Sequence, residues 1–368
     1  MQTIAAVART PKGAFSIEEV TVEAPRAGEV RVKIAGVGLC HTDLVFRDQF
    51  APYPLPAVLG HEGAGVIEEV GEGVEGLAVG DRVVLGFSSC GHCARCQEHL
   101  PSYCRDFPPL NYAGMRLEDG STAYSANGES IASHFFGQSS FAAQAIVRAG
   151  NVVKVEDADA PLEILGPLGC GFQTGAGGVM RSMACPAGSS IAIVGGGPVG
   201  LAAVMGAKIQ GCTTIALVEP VEARRQIALD LGATHVIDPK AGPVTEALRA
   251  IIADGFDFAF DTSGRVEAIE AALGALASRG MIGLVGVPPK AEDAVPINIA
   301  AMITFGQRVV GIMEGDSDPQ TFIPQLIAAH RDGRFPFDRL VQTFPLAQIN
   351  DAIAAQARGE CIKVVLIP

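Results

Sequence analysis

The chain has 368 residues, 48% hydrophobic and 18% charged, which is apolar material for two domains with sizeable cores and excludes a largely disordered chain. Its 40 acidic residues outnumber 27 Lys and Arg for a formal net charge of −13, which excludes a general nucleic-acid surface built on clustered basic side chains. The 44 glycines follow no collagen period and so belong to tight turns and close backbone approaches.

In chain order, the opening MQTIAAVART lacks the apolar stretch of a secretory signal. Nine cysteines, an odd number, are poor material for a disulfide framework, so a reducing, cytoplasmic setting is expected. The early part reads as strands and turns, with alternation over Glu29-Val30-Arg31-Val32-Lys33-Ile34 and an apolar run Val83-Val84-Leu85 after the turn Gly80-Asp81. The uncharged stretch from Ser182 to Ala207 has the hydropathy of a membrane span, but Pro186, Gly195, Gly196, Gly197, Pro198 and Gly200 interrupt it. It reads instead as a strand at 191–194, a glycine turn and a helix through Lys208. A strand at 214–218, a helix at 222–231 and strands at 235–237, 256–260 and 281–285 follow, before mixed texture after Gly311 and a last strand at 364–367. Strands alternating with helices imply a doubly wound parallel sheet.

Three constellations carry chemistry. Cys90, Cys93, Cys96 and Cys104 lie on one loop in the spacing C-x2-C-x2-C-x7-C, and four thiolates close a tetrahedral shell around Zn²⁺ with no position left for substrate. Ligand type alone also admits an iron–sulfur cluster. His61 and Glu62 stand in Gly60-His61-Glu62, whose Gly60 lies 20 residues after Cys40 of Gly38-Leu39-Cys40-His41-Thr42-Asp43, and Cys170 lies in Gly169-Cys170-Gly171. Two cysteines and a histidine with an exchangeable fourth position form a catalytic zinc shell, against the plain alternative of a buried, satisfied histidine. Finally, Gly195-Gly196-Gly197-Pro198-Val199-Gly200 sits between an apolar strand and a helix, and Glu219 ends the next strand. That context suits a dinucleotide pyrophosphate at the helix start and a ribose 2′-hydroxyl on the carboxylate, which would repel a 2′-phosphate and favours NAD over NADP. Arg224 and Arg225, close behind, work against strictness.

In this order the motifs resemble a zinc-dependent alcohol dehydrogenase of the medium-chain dehydrogenase/reductase superfamily, along essentially the whole chain. The text around Cys40–Asp43 and Gly169–Gly175 is most similar to aryl-alcohol (benzyl-alcohol) dehydrogenases. The resemblance implies an α/β fold: a GroES-like, mostly-β catalytic domain from 1–171 and 314–368, and an NAD-binding Rossmann domain over 172–313. It implies two zinc ions per subunit, a catalytic one on Cys40, His61 and Cys170 and a structural one on Cys90, Cys93, Cys96 and Cys104. Glu62 is implied as a transient ligand, Asp43 as the carboxylate orienting His61, and Thr42 as the hydroxyl taking the alcohol proton. His41, Thr174, Gly195, Gly197, Pro198, Val199, Gly200, Glu219, Arg224, Val287 and Lys363 are implied as cofactor contacts. For Thr174 the alternative is a cap for the following helix, and for Lys363 plain solvent exposure.

Two positions depart from the family. Val45 stands where many relatives end their proton relay with histidine, which leaves His41 as the outlet. Gly86 replaces an aromatic ring and opens volume for a ring-bearing substrate. The implied reaction is reversible oxidation of a primary aromatic alcohol to its aldehyde by hydride transfer to NAD. The alternatives are an aliphatic alcohol or glutathione-dependent formaldehyde dehydrogenase, or a zinc-stabilised nucleotide sensor without activity. The implied partners are a small alcohol or aldehyde and further copies of the chain, as homodimer or homotetramer, with no nucleic acid or membrane. His92, His99 and His134 receive no role, and Cys185, Cys212 and Cys361 read as small packing residues.

Overall fold

A computed structural model describes residues 1–368. The chain divides into two units, Met1–Cys170 with Asp318–Ala328 and Asp338–Pro368, and Gly171–Ser317 with Ala329–Phe337. No helix is long and apolar enough to cross a membrane.

The first unit holds two mainly antiparallel sheets. At the centre of the larger lies strand Glu29–Gly38, where Val30, Val32 and Ile34 point into the core while Lys33 is exposed, as the alternation requires. It pairs antiparallel with Gly63–Val70 on one side. On its other side it pairs with Gln144–Arg148 and then with the C-terminal strand Lys363–Ile367, Val365 standing opposite Gly38. This register delivers the C-terminal strand beside the chain that leads into Cys40. The second sheet has the order Ala57–Val58, Gln2–Ala8, Ser16–Val22, Tyr124–Ala126, Glu129–Ile131.

The second unit is built on a six-stranded sheet, parallel throughout, in the order His235–Ile237, Thr214–Val218, Ser190–Val194, Phe256–Asp261, Leu276–Leu284, Arg308–Gly311. Its strands are nearly continuous apolar runs because helices cover the sheet, and Ala192, Val194, Ala216, Val218, Ala259 and Ile282 pack with Leu248, Phe256 and Ile269. A side chain the size of Phe256, fully buried, contributes roughly 2–3 kcal/mol. The strand order reverses at Ser190–Val194, and the crevice beyond the carboxyl end of that strand is where such sheets bind ligands.

The units differ in three places from the boundaries that the resemblance implied, the smallest being Gly171, which goes with the second unit. Residues 314–317 go with the second unit because Gln173 Nε2 lies 3.3 Å from Glu314 Oε2 and Ser182 Oγ donates to Asp316 Oδ2 at 2.6 Å. Residues 329–337 go there too, since the Phe337 ring packs on Phe172 at 5.4 Å and on His330 at 4.5 Å. Both sets of contacts are tertiary and leave no mark in local composition.

Candidate active site and metal centres

In the first unit, Cys40 closes the loop after strand Glu29–Gly38 and opens the short helix His41–Arg47. Asp43, one turn in, accepts from the Cys40 amide through Oδ2 at 2.9 Å and from the Gly60 amide through Oδ1 at 3.1 Å. Asp43 Oδ1 also lies 2.8 Å from His61 Nδ1, so one buried carboxylate ties together both segments that carry the candidate ligands. A carboxylate only accepts, so His61 Nδ1 carries the proton and Nε2 presents its lone pair. Nε2 is buried and has no hydrogen-bond partner within the chain. Cys170, after the turn Gly166–Gly169, completes a group with Cys40, His61 and Glu62 whose ligand atoms all lie within 4.8 Å of one another.

Two sulfurs, a buried imidazole nitrogen without a partner and a carboxylate make a donor set suited to Zn²⁺. The electrostatics favour the thiolate form at Cys40. Hydrogen bonding with Cys170, aided by His61 and the charge of Lys363, holds the Cys40 thiol well below its ordinary range despite burial. Burial works to lower the His61 value, but Asp43 and then Cys40 outweigh it and raise it. Burial, the largest influence, raises the Glu62 carboxyl even with Lys363 beside it.

Lys363 is 1% exposed, which removes the alternative of a solvent-facing lysine. Its Nζ pairs with Glu62 Oε2 and donates to the Leu39 carbonyl at 3.1 Å. Gly38 is required beside this pair, because a Cβ there would run into the Glu62 carboxylate. His41 is exposed, while Thr42 and Val45 are half-buried on the same helix. A Cβ at Gly86 would lie 3.3 Å from Pro319 Cβ and 3.4 Å from its Cγ, so Pro319 packs close against this position and the volume expected from the missing ring is not left open beside it.

The four-cysteine loop forms a second group, with all four sulfurs within 4.8 Å. Sulfur separations of 3.6 Å (Cys93–Cys96), 3.9 Å (Cys90–Cys96) and 4.0 Å (Cys93–Cys104) match a tetrahedron. Zn–S bonds of about 2.3 Å put tetrahedral sulfurs about 3.8 Å apart. That spacing selects a single tetrahedral metal over a multi-iron cluster, whose irons would spread the cysteines further. Hydrogen bonds from the backbone of Arg105 and Cys96 bring the Cys93 thiol down to about 6, while burial pushes Cys104 up to about 12. His92 is exposed with Nδ1 2.7 Å from the Cys90 carbonyl, and His99 lies 3.3 Å from Asp318.

In the second unit, the glycine loop joins strand Ser190–Val194 to helix Pro198–Gln210, with Pro198 at the first helical position, where its missing N–H costs nothing. A Cβ at Gly200 would strike the Gly195 carbonyl, so the third glycine is what lets helix and strand meet. Glu219 accepts from the Gly196 amide at 2.7 Å and from the Val221 amide at 2.8 Å, which fixes its carboxylate at the end of its strand. Arg225 is spent on structure, donating to the Glu219 carbonyl at 2.8 Å and lying 3.4 Å from Asp238. Arg224 keeps a buried Nε without a partner. Thr174 lies inside helix Gly171–Gly177 with Oγ1 3.4 Å from Glu314, so it caps no following helix. Val287 is 45% exposed.

Sequence reading missed the surroundings of His61. Phe136 stacks on its ring at 4.4 Å and Phe135 meets its edge at 5.5 Å. Phe46, Tyr53, Phe107 and Tyr112 extend this aromatic cluster. His134, left without a role, lies 2.7 Å from Ser133 Oγ and 3.3 Å from Glu29, and Glu29 accepts two hydrogen bonds from Arg116 at 2.7 and 3.0 Å. It is a member of a buried polar network, not a ligand. Cys185 and Cys361 are buried and Cys212 is half-buried.

Residues 26–157 match the family model of the alcohol dehydrogenase GroES-like domain, and residues 198–329 that of the zinc-binding dehydrogenase. Over 365 residues the chain is 47% identical to geraniol dehydrogenase of Castellaniella defragrans, covering 99% of this chain and 97% of that protein. The crystal structure of an alcohol dehydrogenase zinc-binding domain protein from Burkholderia ambifaria superposes with a TM-score of 0.97 at 50% identity, covering 100% of this chain and 99% of that one. That of benzyl alcohol dehydrogenase from Acinetobacter calcoaceticus gives 0.96 at 39% identity, over 100% and 99% of the two chains. The matches run through both units and both candidate metal groups, and the chain belongs to the zinc-dependent alcohol dehydrogenases of the medium-chain dehydrogenase/reductase superfamily.

Proposed function

We propose that the chain oxidises a primary alcohol of the benzylic or allylic kind to its aldehyde, with NAD as hydride acceptor. The observation that carries the chemistry is the group of half-buried Cys40 with buried His61 and Cys170, with His61 Nε2 left without a partner. These three residues would hold the zinc, which supplies Lewis acidity toward the alcohol oxygen. Asp43 keeps the His61 tautomer that leaves Nε2 available. Thr42, half-buried on helix His41–Arg47, takes the alcohol proton, and exposed His41 passes it to water where Val45 cannot. Lys363 neutralises Glu62 and so limits the negative charge beside the two thiolates. Cys90, Cys93, Cys96 and Cys104 would hold the second, structural zinc.

The substrate class joins two supports. The named relatives act on geraniol and on benzyl alcohol, and in both alcohols the carbinol carbon is attached to an sp² carbon. The aromatic cluster around His61 gives this side of the centre an apolar, π-rich wall. NAD is favoured over NADP because the Glu219 carboxylate is held in place by two backbone amides, where a 2′-phosphate would meet its charge. A homo-oligomer is favoured by the edge strand Arg308–Gly311 and by helix Ile299–Phe305, whose Ile299 and Ile303 are 73% and 77% exposed.

The experiment is a comparison of kcat/KM for benzyl alcohol, geraniol and ethanol with NAD, on one preparation of known zinc content. Both unsaturated alcohols should exceed ethanol at least tenfold. Preference for ethanol would discard the substrate class, and activity only with glutathione adducts would replace it.

A further inference from the structure

The segment Phe135–Phe141 is fully buried, and its backbone is unusual. His134, Phe136 and Ser139 take φ of 60°, 51° and 55°, in the left-handed region, with Gly137 at 69° between them. Three non-glycine residues there cost conformational energy, which persists only where surrounding contacts over-determine it. Those contacts run to one place. The amides of Ser140 and Phe141 donate to the carbonyls of Gly60 and Leu59 at 2.8 and 2.9 Å. Ser139 Oγ donates to the Val58 carbonyl at 2.6 Å. Gln138 Nε2 donates to the carbonyls of His61 and Gly86 at 2.9 and 3.0 Å, and its Oε1 accepts from the Gly63 amide at 3.0 Å and from Ser140 Oγ at 2.7 Å. Every residue from 58 to 63 except Glu62 is thus bonded to, or stacked on, this segment or Asp43.

The product of the strained turn is the pose of one ring. Phe136 lies against the His61 imidazole with centroids 4.4 Å apart and planes 23° apart, while Phe135 approaches the same ring edge-on at 88°. A single hydrogen bond from Nδ1 to Asp43 fixes one atom of the imidazole but leaves the ring free to swing about that bond. A flat face laid along the imidazole removes that freedom.

We infer that Phe136, braced by Gln138 and the left-handed backbone around it, is a positioning residue that fixes the plane of the His61 ring and so aims Nε2 into the metal centre. The inference rests on Cys40, His61 and Cys170 being the ligands. Phe136 touches no metal itself, and its effect passes through His61. Gln138 holds the backbone that leaves that histidine, at the His61 carbonyl and the Gly63 amide, which a leucine or glutamate of similar length could not do with two donors and two accepted bonds.

The test uses Phe136→Leu, which keeps most of the bulk and loses the flat face, and Phe136→Tyr, which keeps the face. Zinc-replete holoenzyme is mixed with excess chelator and release is followed with a chromogenic zinc indicator. The four-cysteine loop serves as an internal reference within the same molecule. Loss of a contact that orients a metal ligand typically weakens metal binding about 10- to 100-fold. In Phe136→Leu, release of one zinc should therefore accelerate about tenfold, the other staying within about twofold, and the visible bands of the cobalt-substituted protein should shift. Phe136→Tyr should match the wild type. Unchanged release and spectra in Phe136→Leu would overturn the inference, and so would equal acceleration of both zincs, which would mark a general loosening. A wild-type chain that binds a single zinc would overturn the ligand assignment first and this inference with it.

Discussion

Replacing Glu219 with serine should move the enzyme from NAD toward NADP, and the size of the change follows from where the carboxylate sits. Glu219 is buried at the end of strand Thr214–Val218, pinned by the amides of Gly196 and Val221, so it cannot swing away from a phosphate placed on the ribose 2′-oxygen. Two unit charges about 5 Å apart at an effective dielectric constant of about 20 repel by about 3 kcal/mol. A phosphate carrying about −1.5 to −2 raises this to about 5–6 kcal/mol before screening. Arg224 and solvent offset part of it, leaving about 3 kcal/mol, or about a hundredfold against NADP. Glu219→Ser removes that repulsion and also the charged acceptor for the ribose hydroxyls, worth about 1.5–3 kcal/mol to NAD. The kcat/KM ratio of NAD to NADP should therefore fall by about three to four orders of magnitude, with the NAD value itself down about 10- to 100-fold. The assay is initial rates with each cofactor at a fixed, saturating alcohol concentration. A ratio that stays within threefold of wild type would refute the reasoning, as would a wild-type enzyme that already prefers NADP.

Breaking the buried pair with Lys363→Ala strands Glu62 in the core, and urea unfolding should show a loss of about 3–5 kcal/mol, much of it restored by adding Glu62→Gln. The Glu29 network sets an acid limit. Burial works to raise the Glu29 carboxyl, but hydrogen bonds from His134 and Arg116 hold it well below its ordinary 4.5, and burial lowers His134 below 6.5. Both folded values are depressed, so their stabilisation is present above those ordinary values and is lost as pH falls past 6.5 and then 4.5. Glu29→Gln should lower stability at neutral pH and flatten the decline below pH 4.5, and parallel wild-type and variant curves would contradict this. Gly86→Phe should lower the benzyl alcohol to ethanol ratio of kcat/KM, since Pro319 packs against this position and the new ring must turn away from it. An unchanged ratio would remove Gly86 from the substrate argument. Cys104→Ser should bind one zinc fewer per chain and unfold at lower temperature, which metal analysis and calorimetry would show together.

What was legible in the sequence is what local spacing encodes. The Cys90–Cys104 loop closes on itself, so its four ligands are neighbours in sequence and in space. The first strands and the glycine loop of the second unit appear where they were read, helix Glu222–Leu231 has the bounds read from its pattern, and the strand read at 281–285 instead begins at Leu276 and ends at Leu284. The Cys40, His61 and Cys170 group was one of two readings of the residues alone and was favoured through resemblance, because strand pairing and the turn Gly166–Gly169 bring together residues 21 and 109 positions apart. Phe136 and Gln138 carried no signal at all. The left-handed backbone at Phe136 is held in place by bonds from residues 138–141 to residues 58–63, against the local preference of an aromatic side chain. Lys363 likewise gives no hint in an apolar C-terminal strand that its charge is turned inward to Glu62.

The measurement that bears most directly on the proposed chemistry compares benzyl alcohol with cyclohexylmethanol, which has the same carbon skeleton but no sp² carbon next to the carbinol. It needs kcat/KM with NAD on protein carrying two zinc ions per chain. A preference for benzyl alcohol of tenfold or more would bear out a zinc dehydrogenase of benzylic and allylic alcohols. Equal rates, or a preference for the saturated ring, would contradict it.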